Sequence, residues 1–224
     1  GSNVGYYTLL AAPLVGQSGQ IHAFEPVAEQ HADLRANLER NQLLNVVPER
    51  LILTDRAGTM EINLGAEDNA GSASVNLVYR EDRPTERVDC TTLDKYLSER
   101  GLTRLDVLKI DVEGHEPFVV RGMSETLRKL KPLLLVEVRG DMLEEVGSSR
   151  EALFAQIAEH EWRQDDGGCE TPESSQEVKE RVGDQLAGKV AKKTYRFIAL
   201  VGRISHDVQW QGSESAGDQA AELS

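Results

Sequence analysis

Cysteine is scarce in this sequence, and long hydrophobic runs are lacking. Only Cys90 and Cys169 occur among 224 residues, too few and too far apart for a disulfide framework or a spaced metal-binding motif. This cysteine content is compatible with a reducing cytoplasm, which is the location we predict. No stretch approaches the apolar length needed to cross a bilayer, and no secretory signal is visible. We therefore expect neither a disulfide scaffold nor a membrane span.

Positive charge is also in short supply. The chain has 38 acidic and 25 basic side chains, a formal net charge of −13. Such a balance opposes docking on phosphate-rich nucleic acid or on an anionic membrane. We therefore predict a small molecule or a glycan as the partner, and no nucleic acid. The oligomeric state stays open.

The order of predicted elements indicates one α/β domain over residues 1–204. Helices alternate with strands, which predicts a doubly wound sheet. A polar stretch at about 164–193 is expected to be an insertion or lid, and residues 205–224 a polar, disordered tail. Hydrophobic periodicity predicts helices over residues 6–15, 28–41, 93–100 and 117–131, and strands over 21–25, 46–53, 60–64, 105–110, 133–138 and 195–201.

The first five residues form a glycine-bracketed turn that leads into an apolar helix. Gly1 and Gly5 tolerate backbone angles closed to other residues, and a helix N-terminus offers unsatisfied N–H groups. The next strand ends in Glu25-Pro26, where an acidic side chain suits the hydroxyls of a ribose. This pairing predicts a cofactor site. The alternative is that these residues only connect strands to helices and bind no ligand, since short glycine motifs recur widely.

The glycine spacing narrows the choice of cofactor. A dinucleotide fingerprint has glycine at relative positions one, three and six, where this chain has Gly1, Asn3 and Tyr6. Two of the three glycines are missing, which disfavours NAD and leaves a nicotinamide-dependent oxidoreductase as a distant alternative. An adenosyl ligand without a pyrophosphate, such as S-adenosylmethionine, fits better.

Acidic side chains follow several of the predicted strands. Ligands of open α/β sheets bind beyond the carboxyl ends of the strands, so these side chains are expected to converge. We predict that Asp111 lies near the methionine part of the cofactor, where an acidic rim suits a sulfonium cation. The predicted catalytic residues are Asp111, Glu113 and His115, of which Glu113 and His115 are the candidate bases, because methylation of a hydroxyl requires a proton acceptor. The strand-end acids are Glu25, Asp55, Asp111, Glu113 and Glu137.

These side chains also have purely structural alternatives. Asp111 and Glu113 could cap the helix that begins near Pro117, a contribution of about 0.3–1 kcal/mol. His115 could equally be a surface or capping residue. Glu137 and Asp141 could hold a divalent cation, but no metal-ligand spacing supports this, and we predict no metal site.

Three blocks of the chain resemble the FkbM-type methyltransferases, a class I family that depends on S-adenosylmethionine. The most distinctive block is LKIDVEGHE, whereas the other two are shared more widely among methyltransferases. Two shorter segments, 92–94 and 131–137, also match and lie in the order expected for the family. The three blocks are GSNVGYYT at residues 1–8, AFEP at 23–26 and LKIDVEGHE at 108–116.

The resemblance implies a seven-stranded, Rossmann-like class I methyltransferase sheet, mostly parallel with an antiparallel last strand. It also implies O-methylation of a hydroxyl on a sugar, polyketide or similar metabolite. The non-catalytic alternative is a cofactor-binding or interaction domain that retains this fold. The predicted cofactor-binding residues are Gly1, Asn3, Gly5, Tyr6, Glu25, Pro26, Asp55 and Asp111.

The chain departs from the family pattern at its start. The family's acidic residue before the glycine turn, and the strand that carries it, do not precede Gly1. We therefore expect the first strand of the sheet to be missing and a central position beside the cofactor to be empty. Gly1-Ser2 alone could be a remnant of cloning, but the motif requires a glycine where Gly1 stands.

Overall fold

The computed structural model describes residues 1–64 and 84–160, together with the backbone of residues 196–199. The predicted lid at 164–193 and the predicted tail at 205–224 lie outside these residues. The described helices are α1 (Tyr6–Val15), α2 (Ala28–Arg40), α3 (Leu93–Glu99), α4 (Glu116–Arg121), α5 (Ser124–Leu130), α6 (Gly140–Glu145) and α7 (Arg150–Ala158). The described strands are β1 (Gln20–Phe24), β2 (Val46–Glu49), β3 (Ile52–Leu53), β4 (Gly58–Asn63), β5 (Thr85–Thr91), β6 (Val107–Ile110), β7 (Leu133–Val136) and β8 (Arg196–Ala199).

The larger sheet is parallel throughout and has the strand order β2-β1-β8-β6-β7. Its carboxyl ends therefore meet at one edge, as the sequence analysis expects for a ligand site. The expectation of an antiparallel last strand is wrong for β8, which pairs in parallel with both β1 and β6. Because β8 lies between those two strands, the expected central gap is not seen either.

A second sheet explains an irregular stretch of the sequence. The predicted strand over 46–53 is two strands: β2 is an edge strand of the larger sheet, and β3 pairs in parallel with β5 in a three-stranded sheet of order β3-β5-β4. Pro48 lies in β2, where an edge position tolerates the missing N–H. Strand β5 was missed, although Val88 and Cys90 alternate with exposed polar residues along it.

Alternating residues of the parallel strands pack into two hydrophobic clusters. Ile21 and Ala23 of β1 join the helices α1 and α2, whereas Phe24 packs with residues of α3, α4, α5 and α7. Strand β6 divides in the same way, with Val107 in the first cluster and Leu108 in the second. A period of two along a strand places helices on both faces of a parallel sheet. No helix within residues 1–64 and 84–160 is long and apolar enough to cross a membrane.

The helix predicted over residues 117–131 is interrupted at Gly122. It divides into α4 and α5, and Gly122 ends the first of them with an ordinary φ of −78°. A Cβ at this position would lie 1.9 Å from the carbonyl oxygen of Thr54. The helix pair therefore reaches the loop after β3 only because residue 122 has no side chain.

Gly122→Ala tests this close approach. We expect a loss of about 1–3 kcal/mol in the free energy of unfolding, because backbone must shift to admit the methyl group. Chemical denaturation measures the loss. The matched control is Gly140→Ala, since a Cβ there meets nothing within 4 Å. An unfolding midpoint for Gly122→Ala equal to that of the control would contradict the predicted clash.

Candidate functional site

The glycine turn is fastened to the end of β1. Ser2 is fully buried, and its N–H donates to the carbonyl oxygen of Phe24 at 2.6 Å. Asn3 and Gly5 have φ angles of 50° and 96°, in the left-handed region that favours glycine. A Cβ on Gly5 would also lie 2.5 Å from Cδ1 of Leu34. These angles and contacts account for the need for glycine before α1.

Glu25 lies against this turn, as the sequence analysis expects. Its Oε2 accepts the N–H of Asn3 at 2.6 Å, and its Oε1 accepts the N–H of Val27 at 3.0 Å. The residue is only 5% exposed. A carboxylate offers about four acceptor positions, so these two hydrogen bonds leave room for further donors. The arrangement suits a ligand that presents two neighbouring hydroxyl groups.

Asp111 is buried at the end of β6 beside an ammonium group. The Nζ atom of Lys109 lies 2.7 Å from Oδ2 of Asp111, and both residues are more than nine-tenths buried. Burial opposes ionisation of Asp111, but hydrogen bonds from Glu137 and Lys109 outweigh it and lower the pKa. Lys109 also lies 4.6 Å from the ring centroid of Tyr7 in α1. The strand end is thus in contact with the helix that follows the glycine turn.

The glycine turn and the end of β6 are also close electrostatically. Burial, and after it the carboxylate of Asp111, raises the pKa of Tyr7 in α1, the helix that begins directly after the turn. The two predicted halves of the cofactor site therefore face one region. An acidic lining of this kind suits the positively charged sulfonium of S-adenosylmethionine.

Glu113 occupies a strained turn after β6. Its φ is 52° and that of Gly114 is 89°, and a Cβ on Gly114 would lie 2.8 Å from the carbonyl oxygen of Met142. The Glu113 carboxylate is 3.5 Å from Nη1 of Arg139. Arg139 in turn pairs with Asp141 at 2.7 Å. The turn therefore carries Glu113 as a buried, ion-paired carboxylate.

His115 has an interior environment. It is 3% exposed, its Nε2 lies 3.0 Å from Oγ1 of Thr54, and its ring stacks on Phe118 at 4.7 Å. Burial lowers the pKa of His115 to about 4, even though Asp55 favours the charged form. The imidazole is therefore neutral near pH 7 and a weak base. His115 is therefore not a surface residue, and although it is the N-cap residue of α4 its side chain makes no capping hydrogen bond.

The remaining predicted cofactor residues divide between two places. Tyr6 follows Gly5 and contacts Tyr7 edge to face, so it lies beside the glycine turn. Pro26 follows Glu25, and its carbonyl accepts from Nε of Arg50. The carboxylate of Asp55 instead pairs with Arg56 at 3.5 Å and Arg121 at 3.3 Å. Asp55 therefore belongs with the His115 environment rather than with the turn.

Glu116, for which the sequence predicts no role, is buried in the same region. Its Oε1 accepts the N–H groups of Val112 and Gly114 at 3.0 and 3.3 Å. Within the described residues Oε2 has no hydrogen-bond partner, and burial raises the pKa of the carboxyl. An acidic residue directly before Pro117 in a first helical turn is the signal that could have identified it.

The described residues hold no group of three or more histidine, cysteine, aspartate or glutamate side chains arranged for a metal ion. The candidate site consists of the glycine turn, buried carboxylates and one buried lysine, Lys109. Such a site can hold a hydroxyl-bearing, positively charged ligand and can accept protons.

Comparison with known proteins gives a family match. The family described as Methyltransferase FkbM domain matches residues 1–165. A relative named 31-O-demethyl-FK506 methyltransferase FkbM, from Streptomyces tacrolimicus, is 26% identical over an alignment that covers 56% of this chain and 58% of the relative. The chain thus spans a little over half the length of that relative. No solved structure matches the chain.

The interior position of His115 predicts its titration. Its imidazole should keep the NMR shifts of the neutral form from pH 8 down to about 5, because burial holds the pKa at about 4. An unperturbed histidine titrates near 6.5. Loss of the signal in His115→Gln assigns it. A midpoint at or above 6 would show that the ring is accessible and would strengthen His115 as a candidate base.

Proposed function

This chain belongs to the FkbM methyltransferase domain family, and on that basis we propose that it transfers a methyl group from S-adenosylmethionine to a hydroxyl oxygen. The acceptor we propose is a small molecule, natural product or sugar. The family match supports methyl transfer, and the net charge of −13 disfavours an anionic polymer as the acceptor. The relative's name specifies 31-O-demethyl-FK506, an O-demethyl compound, which is consistent with a hydroxyl acceptor.

The observation that carries this proposal is the hydrogen bond between Glu25 and the glycine turn. We assign the spare acceptor positions of Glu25 to the two ribose hydroxyls of the adenosine. We call this proposed adenosine-binding site the adenosine grip. Its other members are the turn residues Gly1, Asn3 and Gly5, with Tyr6 and Pro26 beside them. The fold proposed with it is a doubly wound, Rossmann-like class I methyltransferase sheet.

Asp111 is the residue we assign to the methionine part of the cofactor. Its carboxylate is buried and has a lowered pKa, and its partner Lys109 packs on Tyr7 of α1, the helix that follows the glycine turn. When bound, the cofactor supplies an electrophilic methyl group on a sulfonium. Asp55 lies with Arg121 and His115, so its predicted cofactor contact has less support. Glu113 and His115 stay predicted bases, although the ion pair of Glu113 and the low pKa of His115 weaken both.

Glu25→Ala tests the adenosine grip. We expect the affinity for S-adenosylhomocysteine, measured by calorimetry, to fall at least tenfold. The variant loses the acceptors for the ribose hydroxyls and leaves the N–H groups of Asn3 and Val27 without their partner. Each hydrogen bond to a charged group is worth about 1.5–3 kcal/mol. Glu29→Ala, an exposed acid on α2, is the matched control.

Binding, methyl transfer and reactivity with NADH, all measured on the unaltered chain, separate the alternatives. Failure of the unaltered chain to bind S-adenosylhomocysteine would contradict the proposal. Saturable binding without transfer of labelled methyl to any of a panel of hydroxyl compounds, including 31-O-demethyl-FK506, would favour the non-catalytic domain. Reactivity with NADH would instead revive the oxidoreductase alternative. The cytoplasmic location stays a prediction from composition.

A further inference from the structure

Two carboxyl groups leave neighbouring strands side by side at the edge of the sheet. Strands β6 and β7 pair in parallel, with Val107 opposite Leu133 at one end and Ile110 opposite Val136 at the other. Just beyond them, the N–H of Glu137 donates to the carbonyl oxygen of Ile110 at 2.9 Å. Asp111 and Glu137 are therefore the first residues beyond two adjacent strand ends. Because the strands are parallel and paired in register, the two side chains start next to each other, and the charge of Asp111 acts on the carboxyl group of Glu137.

The pair is asymmetric. Asp111 is buried against the ammonium of Lys109, which stabilises its negative charge. Glu137 is an exposed residue, although neighbouring protein atoms crowd its carboxyl group. A proton is therefore held more strongly by Glu137, whose pKa is raised, than by Asp111, whose pKa is lowered, and Glu137 is the exposed member of the pair. This division resembles other carboxyl pairs, in which like charges at close range cannot both ionise at ordinary pH.

The pair faces the helix that follows the glycine turn. Burial, and after it the carboxylate of Asp111, raises the pKa of Tyr7, and Glu137 contributes in the same direction. Tyr7 also packs on Lys109. Glu137 therefore lies toward the proposed cofactor site rather than toward a remote surface.

The other candidate bases are less suited to accept a proton. Glu113 is 7% exposed and ion-paired with Arg139, and an ion pair weakens a carboxylate as a base. His115 is neutral but a weak base, and its Nε2 is engaged by Thr54. Glu137 differs from both in being exposed and held by a second carboxyl group.

We propose that Glu137 is the catalytic base that accepts the hydroxyl proton of the methyl acceptor, with Asp111 and Lys109 as positioning residues. This inference rests on the proposed function. As the acceptor oxygen bonds to the methyl carbon, the carbon–sulfur bond breaks and its electron pair remains on sulfur as a neutral thioether. The hydroxyl proton passes to the Glu137 carboxylate, so atoms and charges balance.

The base role has a pH signature. Crowding by protein atoms, the hydrogen bond to Asp111 and the charge of Asp111 raise the pKa of Glu137 to about 8. Below that pH Glu137 is protonated and cannot accept a proton, so the rate of transfer should rise through pH 8. The charged and titratable groups that face the pair are Tyr7, Lys109, Glu113, Glu116 and Arg139.

Glu137→Gln tests the proposal, with Glu145→Gln as a matched control that removes an exposed acid from α6. We expect kcat of Glu137→Gln to fall about 100-fold or more, the usual contribution of a positioned base, with affinity for S-adenosylhomocysteine unchanged. The acceptor is the hydroxyl compound that turns over in the panel containing 31-O-demethyl-FK506. The control should match the unaltered chain in both measurements.

Carbon NMR of labelled glutamate gives a readout independent of turnover. One carboxyl signal should titrate near pH 8, vanish in Glu137→Gln and move toward the ordinary value of about 4.3 in Asp111→Asn. The midpoint of the pH–rate profile should move down with it, which a merely structural role for Asp111 would not produce.

Different results overturn different claims. An ordinary glutamate titration for residue 137, or methyl transfer by Glu137→Gln within threefold of the control, overturns the assignment of the base and leaves the proposed function intact. Absence of binding and transfer in the unaltered chain overturns the proposed function and the base role together.

Discussion

The hydrogen bond between the Asn3 N–H and the Glu25 carboxylate is the contact on which the site depends. At 2.6 Å it joins the turn before α1 to the end of β1, and the bond from Ser2 to Phe24 reinforces the same junction. A buried carboxylate without donors is costly, and so are unpaired N–H groups in a buried turn. Each therefore satisfies the other. The acceptor positions that remain on Glu25 are held in place before any ligand arrives, which lowers the cost of ordering the site on binding.

The acidic side chains at the carboxyl edge of the sheet differ in the groups that surround them. Four acidic side chains, at 111, 113, 116 and 137, lie at or just beyond the ends of β6 and β7, and each has a different environment. Lys109 keeps Asp111 ionised, whereas Arg139 pairs with Glu113. Backbone N–H groups hold one oxygen of Glu116, and burial, followed by the neighbouring Asp111, raises the pKa of Glu137. Neighbouring carboxyls thus acquire separate roles from their partners rather than from their residue type.

Local patterns in the sequence predicted local structure well. The bounds of α1 were predicted correctly, α2 was placed to within a residue, and the meeting of Glu25 with the glycine turn was also anticipated. These features depend on periodicity and on motifs a few residues long. The features that local patterns did not predict depend on contacts between segments that are distant in the sequence. The break at Gly122 depends on the carbonyl of Thr54, and the low pKa of His115 on burial beneath other elements.

The strand β8 and the Asp111–Glu137 pair show the same limit on a larger scale. Nothing in the residues of β8 specifies that it lies between β1 and β6, because strand order is a property of the whole sheet. The carboxyl pair likewise requires the register of β6 with β7. A sequence motif can therefore nominate Asp111, but its partner Glu137 becomes visible only when the strands are paired.

A crystal structure of the chain with S-adenosylhomocysteine would test the central claim most directly. The account predicts both ribose hydroxyls within about 2.5–3.0 Å of the Glu25 carboxylate, with the Asn3 N–H still donating to Glu25. A ribose bound elsewhere, or a Glu25 side chain turned away from the glycine turn, would contradict it.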